Sequence, residues 1–255
     1  MAWPASGYRP GNPPIKAKSV TTVLFRQLLF FSLKLGSLIA AVFLTYQFFV
    51  LIKIWWWIDH NPTTTSFMEL RLAELRKKNP AAVLQHKWVP YAQISSHLKR
   101  ALIVSEDDKF VDHEGFDWEA IQKAREKNRQ KGKVVAGGST ISQQLAKNLF
   151  LSGSRTALRK GEEAIITFIM EKMMEKQRIF EIYLNVIEWG DGLFGAEAAA
   201  QHYYGVSASR LSAEQAARLA AMVPRPLFYQ QHRNAPGLLR KTHIILKRMP
   251  QAEVP

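Results

Sequence analysis

Glu106-Asp107-Asp108-Lys109-Phe110-Val111-Asp112-His113-Glu114-Gly115-Phe116-Asp117 and Gly137-Gly138-Ser139-Thr140-Ile141-Ser142-Gln143-Gln144-Leu145-Ala146-Lys147-Asn148 are the stretches whose reading decides this chain. In the first, a helix runs into a dense acidic and aromatic turn. Ser95 can cap that helix, with Leu98, Ala101 and Leu102 on its apolar side and Glu106 one turn beyond Leu102. A carboxylate at the margin of an apolar face is partly desolvated and becomes a stronger base. A solvated acid at a helix end would stand in the same place. The neighbours tip the balance: Asp107, Phe110, His113, Gly115 and Asp117 put more functional side chains into one segment than a connecting turn requires.

In the second stretch Thr140 and Gln143 make a capping box for a helix to Leu149. The glycines and Ser139 before it resemble a phosphate cradle, because a helix N-terminus attracts anions. It is not a Walker A loop, since Gly138 stands where that pattern demands lysine. Thr140, Gln143, Gln144, Lys147 and Asn148 fall on one helical arc; Ile141, Leu145 and Leu149 fall on another. An amphipathic surface helix would split the same way, yet paired glutamines with a lysine also suit a sugar and an anion. Arg155, Arg159 and Glu163 are spaced by four, with Lys160 beside them. They are either an exposed ladder of ion pairs or cations for a diphosphate, with Glu163 placing them or a donor sugar.

Working outward, an uncharged run from Leu35 to Ile52 lies between Lys34 and Lys53 and is extended by Leu28–Leu33 and by Ile54, Trp55, Trp56 and Trp57. About 20 apolar residues cross a bilayer, and tryptophans suit its interface. The run is too long for a cleaved signal peptide, and no small-residue cleavage pattern follows it. Arg9, Lys16, Lys18, Arg26 and Lys34 precede the span and no acid does, so the N-terminus is expected in the cytoplasm and the rest outside it. The net charge of +14 would otherwise raise nucleic acid as a partner; with the bulk of the chain exported, lipid headgroups or a diphosphate fit better. The absence of cysteine excludes disulfides, thiolate metal sites and a Cys nucleophile. An EF-hand register fails from Asp107, where Lys109 takes the third place, and from Asp112, where Phe116 takes the fifth. No cofactor is required, though the acids leave room for a loosely held divalent cation, Mg or Mn.

The chain divides into a cytoplasmic tail at residues 1–27, a transmembrane helix at 28–57, a linker and membrane-proximal helix at 58–80, and a domain at 81–255. After Pro80 the pattern is helical, with a strand suggested only at Val83–Val89. Helices are expected over Phe67–Lys78, from Trp118 to about Lys127 after an Asp117 cap, and from about Thr156 to Met174. Others should cover Gln177–Val186, a capping-box helix from Ser212 and Gln215 ended by Pro224 and Pro226, and Leu238–Arg248. Residues 128–138 read as a basic loop.

At these residues the chain resembles the peptidoglycan glycosyltransferases, the polymerising module of class A penicillin-binding proteins, and in particular the monofunctional biosynthetic transglycosylases. The family's Glu-Asp-x-x-Phe-x-x-His-x-Gly-x-Asp runs whole from Glu106 to Asp117. Its Gly-x-Ser-Thr-x-x-Gln-Gln-x-x-Lys-Asn runs from Gly137 to Asn148, and its Arg-Lys-x-x-Glu is Arg159, Lys160 and Glu163. Glu181, Tyr183, Leu184 and Asn185 match a fourth motif; Arg240, Leu246, Arg248 and Met249 match a weaker fifth. Trp189 stands where the family often has Tyr-Phe, and a chain stopping at Pro255 leaves no room for a transpeptidase domain.

The resemblance implies a mainly α, lysozyme-like bilobal domain behind one transmembrane helix in the inner membrane, with the catalytic domain in the periplasm. It implies polymerisation of lipid II, with Glu106 as general base and Glu163 as a second catalytic residue. Asp107, Phe110, Ser139, Thr140, Gln143, Gln144, Lys147, Asn148, Arg155, Arg159 and Lys160 would bind substrate, with Lys147 and Arg155 on the diphosphate. Expected partners are lipid II, the nascent glycan strand, membrane lipids and proteins of wall synthesis and division. The competing reading is a lytic, lysozyme-type hydrolase. It shares one glutamate but gives no reason for the cations or the anchor. A non-enzymatic glycan-binding scaffold comes third.

Overall fold

The structure is a computed structural model that describes Met1, residues 20–133, Val135, residues 137–151, Gly153 and residues 156–255, with side chains left out at 20–23. Most of the expected tail, and Arg155, lie outside the described residues.

The chain divides into two units, residues 1–49 and 50–255. The first is the greater part of helix α1 (Val20–Asp59), apolar on every side. Leu28, Phe31, Leu35, Leu38, Ile39 and Val42 are all exposed. A helix hydrophobic all round has no stable place in water, and this one is long and apolar enough to cross a membrane.

The second unit takes in the last turns of α1, where Val50, Ile54 and Trp57 recur at helical spacing and are buried. The Trp57 ring meets Phe150 at 5.3 Å. Arg178 holds that helix end: its Nε donates to Trp57 O, a carbonyl with no partner within the helix, at 2.9 Å, and its Nη2 donates to His60 O, just past the helix, at 2.7 Å. Helix α2 (Ser66–Lys78) starts at a Thr65 cap and is clamped by Arg71, which donates to buried Glu188 at 2.6 Å.

The rest is mainly α. Strand β1 (Gln85–His86) leads to α3 (Ser96–Glu106), α4 (Trp118–Lys131), α5 (Ile141–Phe150), α6 (Ala157–Met173) and α7 (Lys176–Val186). Then come β2 (Glu188–Gly190), β3 (Leu193–Phe194), α8 (Ala196–Tyr204), α9 (Ala213–Met222), α10 (Pro226–Gln231) and α11 (Pro236–Arg248). Helices α3, α9 and α11 pack as one group; α5 packs on α2, α6 and α7 as another. The end of α3 and the start of α5 bring the two groups together, through the bond from Ile141 N to Asp107.

Every cap expected from sequence forms, at Ser95, Asp117, Thr140 with Gln143, and Ser212 with Gln215, and the structure adds one at Thr156. Helix α4 outlasts its expected end near Lys127, because Gly132 supplies the left-handed turn that stops it; residues 128–131 at the start of the supposed basic loop are therefore helix. Pro226 opens α10 instead of merely closing the helix before it, taking the first helical position where its missing N–H costs nothing.

The small sheet, in the order β1-β3-β2, goes beyond the expected strand. Its β1 strand lies within Val83–Val89 and pairs in parallel with β3. It is tied to α7 by Asn185, whose side chain accepts from Val89 N at 2.9 Å and donates to Val89 O at 3.0 Å. Gly195 makes the turn after β3 with φ +82°, and a Cβ there would lie 2.6 Å from Asn185 O.

Candidate active site

Glu106 closes α3 and faces a cavity of about 180 Å³. Asp107, Asp108, Asp117, Gly138, Ser139, Thr140 and Arg248 share its wall. The apolar side of α3 holds the carboxylate in place: Leu98, Ala101 and Leu102 are fully buried, and the Glu106 side chain is only 9% exposed. Oε1 accepts from Ser105 Oγ at 2.8 Å and from Lys241 Nζ at 3.4 Å. Oε2 accepts from Gln144 Nε2 at 3.2 Å. A fixed acceptor at a cavity wall, with a cation beside it, is suited to taking a proton from a hydroxyl.

The turn after Glu106 positions α5. Asp107 Oδ2 accepts from Ile141 N at 2.9 Å, the first amide of the helix, and Oδ1 accepts from His113 Nε2 at 3.0 Å. Gln143 Oε1 accepts from Thr140 N, Thr140 Oγ1 accepts from Gln143 N, and the Thr140 hydroxyl donates to Gly115 O at 2.7 Å. The supposed phosphate cradle thus has its amides at Thr140, Ile141 and Gln143 occupied by the protein itself, a carboxylate included. Asp107 lines the cavity but works as a cap. Phe110 is fully buried against Phe180 at 5.6 Å, so it supports the site from within the core. Gly138 passes so close to α4 that a Cβ would lie 2.8 Å from Ile121 Cα, which fixes the loop over that helix.

Gly138 and Ser139 also line a second cavity, of about 340 Å³, together with Gln143, Arg125, Asn128 and Lys160. Lys160 Nζ donates to Ser139 Oγ at 3.3 Å. Behind it, Glu163 is buried and paired with Lys160 and with Arg159 Nη1 at 2.8 Å. The expected ladder is therefore an ion-pair cluster with its acid inside and Lys160 at the cavity. Glu163 touches its own cations, while Glu106 faces the first cavity.

On α5, Gln144 and Lys147 are half-buried and Asn148 is buried, whereas Ile141, Leu145 and Leu149 are in the core as their arc requires. Among the described residues, no group of three or more His, Cys, Asp or Glu side chains is arranged to hold a metal ion.

Three contributors to the site were given no role in the sequence, although Tyr183 and Arg248 stand in its motifs. Lys241 reaches Glu106 from α11, and Arg248 on the same helix donates to Asp108 Oδ2 at 2.7 Å. Their seven-residue spacing puts both on one helix face, a signal the sequence did carry. Tyr183 reaches the site through Gln144, to which its hydroxyl donates at 3.1 Å.

The family described as transglycosylase matches residues 73–250. A biosynthetic peptidoglycan transglycosylase of Methylobacillus flagellatus is 62% identical over 221 residues, 86% of this chain and 96% of that protein. One from a Janthinobacterium strain is 60% identical over 232 residues, 91% of this chain and 99% of its own. One from Herminiimonas arsenicoxydans is 59% identical, again over 91% of this chain.

Proposed function

Because the chain belongs to the transglycosylase family, we propose that this peptidoglycan glycosyltransferase polymerises lipid II, with Glu106 as its general base. The 4-hydroxyl of the acceptor GlcNAc attacks C1 of the donor MurNAc and gives its proton to Glu106. The bond from C1 to the phosphate oxygen breaks, and undecaprenyl diphosphate leaves with the electron pair. Attack from the face opposite the leaving group inverts C1 and yields a β-1,4 linkage.

The observation that carries the reading is Glu106 at a cavity wall whose other carboxylates are already engaged, Asp107 and Asp117 as helix caps and Asp108 with Arg248, while Lys241 lies beside Glu106 and Lys160 lines the second cavity. A diphosphate needs no strong general acid when cations stabilise it. A glycosidase, by contrast, needs two carboxylates across one bond. The test is incubation of detergent-solubilised protein with labelled lipid II. Polymer and free undecaprenyl diphosphate are expected; recovery of unchanged lipid II would refute the reading.

The anchor follows from the substrate, whose lipid stays in the bilayer throughout. With Arg9, Lys16, Lys18, Arg26 and Lys34 before the span and no acid, the N-terminus belongs in the cytoplasm and the catalytic unit in the periplasm. A reporter active only in the periplasm, fused to the C-terminus, should give signal, and one active only in the cytoplasm should not. The reverse pattern would overturn the orientation.

A further inference from the structure

Gln144 is hydrogen-bonded to Glu106 and to Tyr183 at once. Its Nε2 donates to Glu106 Oε2 at 3.2 Å, and its Oε1 accepts from the Tyr183 hydroxyl at 3.1 Å. An ionised carboxylate only accepts hydrogen bonds, so the amide nitrogen must face Glu106 and the amide oxygen must face away. In a half-buried position that oxygen needs a donor.

Tyr183 provides one from the core of α7, where it is fully buried and its ring stacks near Phe180 at 6.3 Å. Burial, with Glu106 and Asp107 close by, holds the phenol well above its ordinary range, so it keeps its proton at any working pH. Without that hydroxyl the amide loses the bond that selects its orientation, and the flipped form would turn oxygen lone pairs toward Glu106.

We infer that Tyr183 is a positioning residue: through Gln144 it fixes Oε2 of Glu106 in the geometry that receives the acceptor's proton. The inference rests on the lipid II reading above and deepens it. Tyr183 is fully buried and lines neither cavity, so its effect should fall on turnover and not on binding.

The experiment measures kcat and KM for lipid II polymerisation by the solubilised full chain, with Tyr183→Phe, Gln144→Ala and the double variant beside wild type. Tyr183→Phe removes one oxygen and should lower kcat by about 3–10-fold, the equivalent of one neutral hydrogen bond, with KM within about twofold. In the Gln144→Ala background the same change should do little further, because its hydrogen-bonded route to Glu106 is gone.

An equal loss in both backgrounds would mean general core damage and would overturn the inference. So would Tyr183→Phe with wild-type kcat while wild type polymerises normally; that result leaves the function standing. Wild type that makes no polymer would sink both.

Discussion

Glu106→Gln is expected to abolish polymer formation, by about 10²–10⁴-fold, while the chain still folds. The substitution keeps size and shape and removes only basicity. The glutamine oxygen can still accept from Gln144, and its amide can donate to Ser105, so the two neutral bonds around the position can re-form. What is lost is the contact with Lys241, whose side chain is one-third exposed, and such a pair contributes about 1 kcal/mol or less. Thermal unfolding should therefore stay near the wild-type midpoint while turnover collapses. A folded Glu106→Gln protein that polymerises lipid II at close to the wild-type rate would remove Glu106 from the role of base.

The parts of this site that the sequence made legible are local. Ser95, Asp117, Thr140 and Ser212 each cap a helix within three residues of themselves, so neighbouring residues suffice to find them. The apolar arc of Ile141, Leu145 and Leu149 is equally local. Strands β2 and β3 escaped notice because two or three residues carry no alternation to read.

Residue type also does not say where a side chain's bonds go. Asp107 reads as a ligand in sequence, yet its oxygens are used by Ile141 N and His113, 34 and 6 positions away. Lys241 stands 135 residues from Glu106, and only packing of α11 against α3 and α9 brings it there. The buried Glu163 shows the same limit: spacing by four predicts the pair with Arg159, but not which member faces the core.

Replacing Lys147 distinguishes a transferase from a hydrolase: Lys147→Met should lower turnover on lipid II by about 10²–10³-fold. It lies one helical turn beyond Gln143 and Gln144, on the same α5 that holds Gln144 against Glu106. A cation there can meet negative charge as it grows on the departing diphosphate. Because that charge develops in the transition state, kcat should fall far more than KM rises. Methionine keeps most of the apolar stem, so packing is preserved. Lys147 also sits in the last turn of α5, where a positive charge favours the helix by about 0.3–1 kcal/mol. A role confined to helix stability would cost that much in unfolding and leave turnover alone. Lys147→Arg should recover part of the rate, since it returns the charge in a different shape. Purified sacculi contain no diphosphate, so neither wild type nor variant should release soluble fragments from them. Release of muropeptides at the same rate by wild type and Lys147→Met would make the reaction a hydrolysis and the lysine a bystander.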